Sequence, residues 1–279
     1  MQEPVPSGVD NLPFEELVAP LIPSDPERFY SGMRGFLEER HNWKVPHSAI
    51  TLLRQLNRFF PSESESILNT FWPQLVTLLS NPKPAVAKAI LLYFAEVIRH
   101  STINEEMIAK MEPLLAVHSY SDKKFIQSEA RLAYSLLVQK YTSPALIFSL
   151  SRTAFEEKGQ VEELAIRTLD AVCEHLKNSL ASFELDTFKC IFFAVKKCLL
   201  KKGPSYKSAS NILRTMHEGL GSENFTKLVY MLKESGDLDS QDFERIRSAF
   251  EPLRDGTSRR LNDARMEIKI LKERSRVSN

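Results

Sequence analysis

Apolar residues recur at three- and four-residue spacing along most of the chain, which is the spacing of one face of an α-helix. Ala49, Leu53, Leu56 and Phe60 form one such stripe, and similar stripes begin at Val86, Ile126, Val161 and Tyr206. No segment alternates apolar and polar residues for long enough to predict a β-strand. Prolines stand where helices are expected to begin or end: Pro46, Pro61, Pro73, Pro82, Pro84, Pro144 and Pro204. The pattern predicts an all-helical chain.

A short motif recurs at the predicted turn, or corner, inside each helical pair. A lysine precedes a branched or aromatic residue, and an alanine follows that residue by three or four positions. The copies are Lys44-Val45…Ala49, Lys83…Val86…Ala89, Lys124…Ile126…Ala130, Lys158…Val161…Ala165 and Lys202…Tyr206…Ala209. Their spacing of roughly 35 to 45 residues is the period of HEAT repeats. We therefore predict an all-α solenoid of about six HEAT-type helical hairpins.

Three parts of the chain are predicted. Residues 1–23 form a flexible N-terminal segment, in which the apolar island Leu12 to Ile22 packs on the first repeat. Residues 24–254 form the solenoid, with apolar first-helix positions that include Phe29, Met33, Phe36, Leu37, Leu146, Phe148 and Leu150. Asp239-Ser240 is expected to cap the last helix, since acidic and hydroxyl side chains favour helix starts.

Residues 255–279 form a predicted basic, helix-prone tail. Leu261, Ala264, Ile268 and Leu271 follow a and d spacing over less than two heptads, whereas sustained coiled coils need three or four. A partly disordered tail and a dimerisation helix that joins the chain to itself both remain open.

The sequence carries no recognisable catalytic chemistry. It has no phosphate-binding loop, no HExxH or zinc-spaced cluster and no GxSxG elbow, so we expect no enzyme, no cofactor and no metal. Cys173, Cys190 and Cys198 lie inside helical patterns and are expected to be reduced core thiols. No apolar run is long enough to span a membrane. A net charge of +1 argues against nucleic acid as a partner, although the Arg-rich tail from Arg254 keeps that alternative open.

The corner lysines predict a binding surface. In a repeat stack, the turns inside each pair lie on one edge, so lysines distant in sequence converge in space. Lysine is a flexible point charge suited to attraction toward an acidic partner. Trp43 stands in a polar corner between Asn42 and Lys44, where an aromatic side chain is typical of an interface anchor. The structural alternative is that Trp43 folds back onto the first helix.

Three corners resemble those of the TOG domain, a HEAT-type tubulin-binding module of microtubule regulators, and in particular the CLASP-type domains. The similar stretches are Asn42-Trp43-Lys44 through Leu56, Lys123-Lys124-Phe125-Ile126-Gln127-Ser128-Glu129-Ala130 and Gly203-Pro204-Ser205-Tyr206-Lys207-Ser208-Ala209. The resemblance extends from about Asp25 to Leu253. It implies a cytoplasmic protein of the cytoskeleton, at microtubules, a spindle or a cilium, that binds αβ-tubulin or microtubules.

The resemblance also implies roles for individual residues. Trp43 would contact one tubulin subunit, and Lys124 and Lys207 the other. The remaining candidates, as neighbouring or auxiliary contacts, are Lys44, Lys83, Lys123 and Lys202. The alternative left open is a generic HEAT or armadillo scaffold that binds another protein or a peptide along its concave helix face.

Overall fold

The structure, a computed structural model, describes residues 12–20, 26–201 and 203–250. In these residues it contains twelve α-helices and no strand, and the helices follow one another as six hairpins. They are α1 (Pro26–Glu38), α2 (Lys44–Phe59), α3 (Ser64–Leu79), α4 (Pro84–His100), α5 (Glu105–His118), α6 (Lys124–Lys140), α7 (Pro144–Glu156), α8 (Gly159–His175), α9 (Leu185–Leu199), α10 (Pro204–Leu220), α11 (Ser222–Glu234) and α12 (Ser240–Phe250). The predicted fold class, an all-α chain of about six HEAT-type hairpins, is confirmed.

The described chain forms two compact units. The first contains residues up to 153 together with 159–161, and so holds α1 to α6 and most of α7. The second contains residues 154–158 and those from 162 onward, with most of α8 and α9 to α12. The predicted boundaries at 23 and 254, and the tail 255–279, lie outside the described residues.

In the first unit, α2 and α4 pack side by side in parallel. The Arg54 guanidinium in α2 forms a buried ion pair with Glu96 in α4, 42 residues later, at nitrogen–oxygen distances of 2.6 to 3.1 Å. Further along both helices, Asn57 Oδ1 accepts a hydrogen bond of 2.7 Å from Ser101 Oγ, at the end of α4. From the first contact to the second, the residue number increases in α2 and also in α4. The two helices therefore run in the same direction.

Helices α4 and α6 are parallel by the same criterion. Lys88 Nζ lies 3.8 Å from Glu129 Oε1 near the beginnings of the two helices. Near their ends, Lys140 Nζ donates to the carbonyl oxygens of Ile98 and Ser101 at 2.7 and 2.6 Å. The registers of α2, α4 and α6 differ by only one or two residues, about 3 Å at 1.5 Å per residue. Their three N-terminal ends therefore lie at one edge of the unit.

The predicted apolar stripes form the core. Leu53, Ile90, Phe94 and Leu137 are fully buried, as are most of the other predicted second-helix positions. Two first-helix predictions were wrong, because Phe36 and Phe148 are 38% and 40% exposed. In each case, neighbouring residues at helical spacing take the inward face: Met33 and Leu37 in α1, and Leu146, Ile147 and Leu150 in α7.

Pro73 does not mark a helix end, contrary to prediction, since α3 continues through it. An interior proline costs about 3 kcal/mol. Burial of Phe71, Leu75 and Leu78 around it offsets that cost, because each such side chain contributes about 1.5–3 kcal/mol.

In the second unit, α10 packs against α9, α11 and α12. Its close approach to the 3-10 helix Lys177–Ser182 depends on Gly219, where a Cβ atom would lie 2.4 Å from the Lys177 carbonyl oxygen. Hydrogen bonds of 3.2 and 2.6 Å join Asn211 to Asp170 and Thr215 to Glu174, each pair 41 residues apart. Asp239 Oδ1 accepts from the Asp242 backbone N–H at 2.7 Å, so Asp239 caps α12 as predicted.

A carboxyl group is buried where α5 meets α7. Glu112 is fully buried, and its Oε2 accepts hydrogen bonds of 2.8 and 2.7 Å from Ser149 Oγ and Thr153 Oγ1. Loss of solvent raises the pKa of Glu112 from its ordinary 4.5 to about 7, against the opposing effects of those hydroxyls, Arg152 and Tyr134. The folded chain therefore holds a proton there that the unfolded chain releases at lower pH.

The Arg54–Glu96 pair should behave as a coupled unit. We expect Glu96→Gln to cost about 3–5 kcal/mol of unfolding free energy, because it leaves a buried guanidinium without its counter-charge. The double variant Arg54→Met, Glu96→Leu should cost clearly less than the two single changes together. Urea denaturation followed by circular dichroism measures all three, and additive costs would contradict this coupling.

Glu112→Gln should stabilise the chain in a pH-dependent way. Since the folded pKa lies above the unfolded one, wild-type stability is lost as pH rises from about 4.5 to 7. The variant should therefore gain about 3 kcal/mol relative to wild type between pH 4.5 and pH 8. Glu105→Gln, at an exposed position of the same helix, is the matched control for urea unfolding at the two pH values. A difference in unfolding free energy between Glu112→Gln and wild type that does not change with pH would refute the buried proton.

Candidate functional site

Three corners of the first unit contain the same hydrogen-bonded turn. A polar side chain two residues before the lysine accepts a hydrogen bond from that lysine's backbone N–H. Asn42 Oδ1 binds Lys44 N at 3.2 Å, Asn81 Oδ1 binds Lys83 N at 2.8 Å and Ser121 Oγ binds Lys123 N at 3.3 Å. Such turns fix the chain direction just before a helix. We call residues 41–44, 80–84 and 121–124 the corner edge.

The corner edge carries four exposed lysines: Lys44, Lys83, Lys123 and Lys124. Lys83 and Lys123 occupy equivalent positions, immediately before the first residue of α4 and α6, with φ/ψ angles of −90°/107° and −86°/104°. None of the four forms an ion pair with another described residue. Packed helices lie about 8–10 Å apart, close to the screening length of about 8 Å at physiological salt, so their potentials add.

Charges at helix beginnings are sorted by edge. The first turns of α2, α4 and α6 contain no acidic residue and have a lysine at or beside their start. The first turns of α1, α3 and α5 carry Glu27, Glu65, Glu105 and Glu106. A helix N-terminus has a partial positive charge and favours acidic neighbours. The lysines therefore stand where they cost stability, and they add to the positive potential of three helix ends.

Trp43 stands at the start of α2, and its side chain is half-buried. Its ring meets the buried His47 ring edge-on, with centroids 6.1 Å apart and an interplanar angle of 88°. Burial and the nearby Arg54 charge lower the pKa of His47, which favours its neutral imidazole. Trp43 thus packs against its own helix α2, one turn along, and not against α1 as the structural alternative proposed.

The fifth corner belongs to the second unit. Lys207 is exposed in the first turn of α10 and makes no ion pair with another described residue. Gly203 precedes α10 with φ of +132°, which a side chain would strain. The predicted contact Lys202 lies outside the described residues. Its neighbour Lys201 is paired with the buried Glu162 carboxylate, which Lys197 also approaches at 3.2 Å.

A polar groove that the sequence did not predict lies between α8 and α10. Asn211 Nδ2 donates to Asp170 Oδ2 at 3.2 Å, and Arg214 Nη2 donates to Asn211 Oδ1 at 3.1 Å. The groove is lined by Arg167, Asp170, Ala171, Glu174, Asn211, Arg214 and Glu218. Asn211 and Arg214 lie three residues apart, a helical spacing that could have signalled the groove.

The remaining candidate chemistry is structural. Burial raises the pKa of Cys173 to about 12 and that of Cys198 to about 11, which leaves both thiols protonated and weakly nucleophilic. Across the described ranges, no three His, Cys, Asp or Glu side chains are grouped as a metal site requires. None of the helices described is both long and apolar enough to cross a membrane.

No protein-family model matches the sequence, and no curated protein matches it. Among solved structures, an engineered protein is 16% identical, with a TM-score of 0.38 over 80% of this chain and 95% of that chain. A designed armadillo repeat protein is 14% identical, with a TM-score of 0.35 over 79% of this chain and 98% of that chain. Scores this low carry no argument about function. The chain is a helical repeat scaffold by its own geometry.

Replacing the corner lysines should increase stability. Lys83 and Lys123 occupy N-cap positions without a side-chain cap, where aspartate would accept a backbone N–H and suit the helix dipole. We expect Lys83→Asp and Lys123→Asp each to add about 1 kcal/mol to the unfolding free energy. Lys110→Asp, inside α5, is the control and should not stabilise. Urea denaturation measures this, and a loss of stability at both corners would show that the lysines are structural.

Proposed function

We propose that this chain is a TOG-like tubulin-binding module that regulates microtubule or axoneme dynamics. The observation that carries the proposal is the sorting of charge, since exposed lysines stand at the beginnings of α2, α4 and α6 although helix dipoles disfavour them there. A cost in stability at one edge is expected where the edge serves binding. The resemblance of the corner sequences to those of TOG domains supports tubulin as the partner.

In this proposal the corner edge attracts an acidic tubulin surface over a distance of about one screening length. Trp43 is the apolar anchor, because it is a half-buried aromatic residue next to Lys44 and its ring packs edge-on against His47. Lys44, Lys83, Lys123 and Lys124 surround or extend that contact. Lys207 and Lys202, which stands five positions earlier in the sequence, are the proposed contacts of the fifth corner. The proposed location is cytoplasmic, on the microtubule cytoskeleton.

The alternative is a scaffold for another protein or peptide, and the polar groove of α8 and α10 favours it. Asn211 and Arg214 offer amide and guanidinium groups of the kind that bind a peptide backbone. The alternative ranks second because these groups already bond to one another and to Asp170, and a ligand would have to replace those bonds. Within the part of the chain that the structure describes, Lys44, Lys83, Lys123, Lys124 and Lys207 form no such side-chain bonds that a partner would have to replace.

Tubulin binding should depend on the Trp43 ring. Trp43→Ala is expected to weaken the complex with soluble αβ-tubulin by about 2 kcal/mol, or roughly 30-fold in Kd. Gel filtration at low salt and a titration of affinity measure this. Phe148→Ala, which removes an exposed aromatic ring from α7, is the control and should bind as wild type does. Melting temperatures of both variants separate a lost contact from a lost fold.

Charge reversal in the same titration tests the lysines. Lys124→Glu with Lys207→Glu should weaken binding steeply at low salt and less at high salt, because added ions already screen the attraction. Lys110→Glu with Lys227→Glu makes the same change in net charge away from the corners. Equal effects from the two pairs would reduce the corner lysines to a role in solubility. No complex with the wild-type chain would leave the scaffold with a different partner.

A further inference from the structure

Residues 12–20 lie against the C-terminal parts of α2 and α4. Their partners are Arg54 and Arg58 in α2, and His100, the last residue of α4. Because both helices begin at the corner edge, this contact lies at the opposite edge of the first unit. We call the surface formed by Arg54, Arg58 and His100 the segment groove.

The groove binds the segment through its backbone. Arg58 Nη1 donates to the carbonyl oxygens of Phe14 and Leu17 at 2.6 and 2.8 Å. Arg54 Nη2 donates to the Leu12 carbonyl oxygen at 2.7 Å. Carbonyl groups occur in every residue, so these contacts orient a peptide without selecting its sequence.

Selectivity comes from two side chains. The Phe14 ring stacks on the His100 ring, with centroids 4.2 Å apart and planes within 4° of parallel. Leu17 is only 2% exposed, whereas Val18 beside it is 67% exposed. Glu15 and Glu16 are exposed as well. The segment is therefore held at an aromatic and an aliphatic position three residues apart.

The two arginines of the segment groove also have contacts that do not involve residues 12–20. Arg54 is fixed by two bonds from its Nε and one from its Nη2 to the Glu96 carboxylate, which belongs to α4. Arg58 stacks on the neighbouring Phe59 ring at 5.2 Å. Binding groups held in place by their own helices need little rearrangement when a ligand arrives.

We propose that the segment groove is a peptide-binding site for short Phe-x-x-Leu segments, and that residues 12–20 are its resident, displaceable ligand. The same nine residues, supplied as a free peptide, occupy the groove by the same contacts. Only residues 21–25 separate the resident segment from α1, so its effective concentration is on the order of millimolar. A free peptide therefore competes poorly until the resident anchors are removed. This inference does not depend on tubulin binding.

The test uses the full chain and a fluorescently labelled peptide of residues 12–20, with binding followed by anisotropy. Phe14→Ala with Leu17→Ala in the chain should tighten peptide binding at least tenfold relative to wild type. Adding Arg58→Ala to that variant should abolish binding. A control peptide with alanine at both anchor positions should not bind. A folded Phe14→Ala, Leu17→Ala chain that binds the peptide no better than wild type overturns the proposal.

A second form of the chain keeps both anchors. A specific protease site placed within residues 21–25 allows the segment to be cut from the folded protein, which removes the tether while every contact remains. The cut chain should exchange its segment for the labelled peptide, whereas the uncut chain should not. A cut chain that remains folded by circular dichroism and takes up no peptide also overturns the proposal.

Discussion

The parallel register of α2, α4 and α6 is the constraint on which the rest of the first unit depends. Arg54 and Glu96 set it between α2 and α4, and Lys88, Lys140 and their partners set it between α4 and α6. A slip of one helical turn would move one corner by about 5.4 Å and bury a charge without its partner. This register places three corners that are distant in sequence at one edge of the unit. It places the segment groove at the opposite edge.

Under the proposed function, stability and binding oppose each other at the corner edge. Three helix N-termini and four lysines gather positive charge within about two screening lengths, and no described acidic side chain pairs with those lysines. The opposite edge has the usual arrangement of charge at helix N-termini. Acidic residues stand there and stabilise the partial positive charge of the helix ends: Glu27, Glu65, Glu105 and Glu106. In the proposed function, an acidic partner supplies the negative charge that these helix ends lack.

Much of the fold was predictable, because helical period and repeat spacing are local properties of the sequence. The stripes around Leu53, Ile90 and Leu137 identified second helices that are indeed buried, and Asp239 identified a helix start. Phe36 and Phe148 were wrongly predicted to be buried. Which face of a short helix is buried depends on the helices that pack against it, and hydrophobicity alone does not identify that face.

The candidate site was predictable in part. Lysine spacing identified the corners, and the turns made by Asn42, Asn81 and Ser121 could have been inferred from their residue types. The Arg54–Glu96 ion pair could not be predicted from the sequence. A charged residue on a helix gives no sign that it is buried until its partner, 42 residues away, is known. The contacts of Arg58 and His100 with residues 12–20 could not be predicted either, because each joins residues at least 41 positions apart in the chain.

The central claim is that the corner edge and, in the second unit, the fifth corner at residues 203–207 bind αβ-tubulin, and hydrogen–deuterium exchange with and without tubulin tests it most directly. The account predicts slower exchange at residues 41–44, 80–84, 121–124 and 203–207, with little change in the α8 and α10 groove. Protection confined to that groove, or absent from every corner, would contradict it.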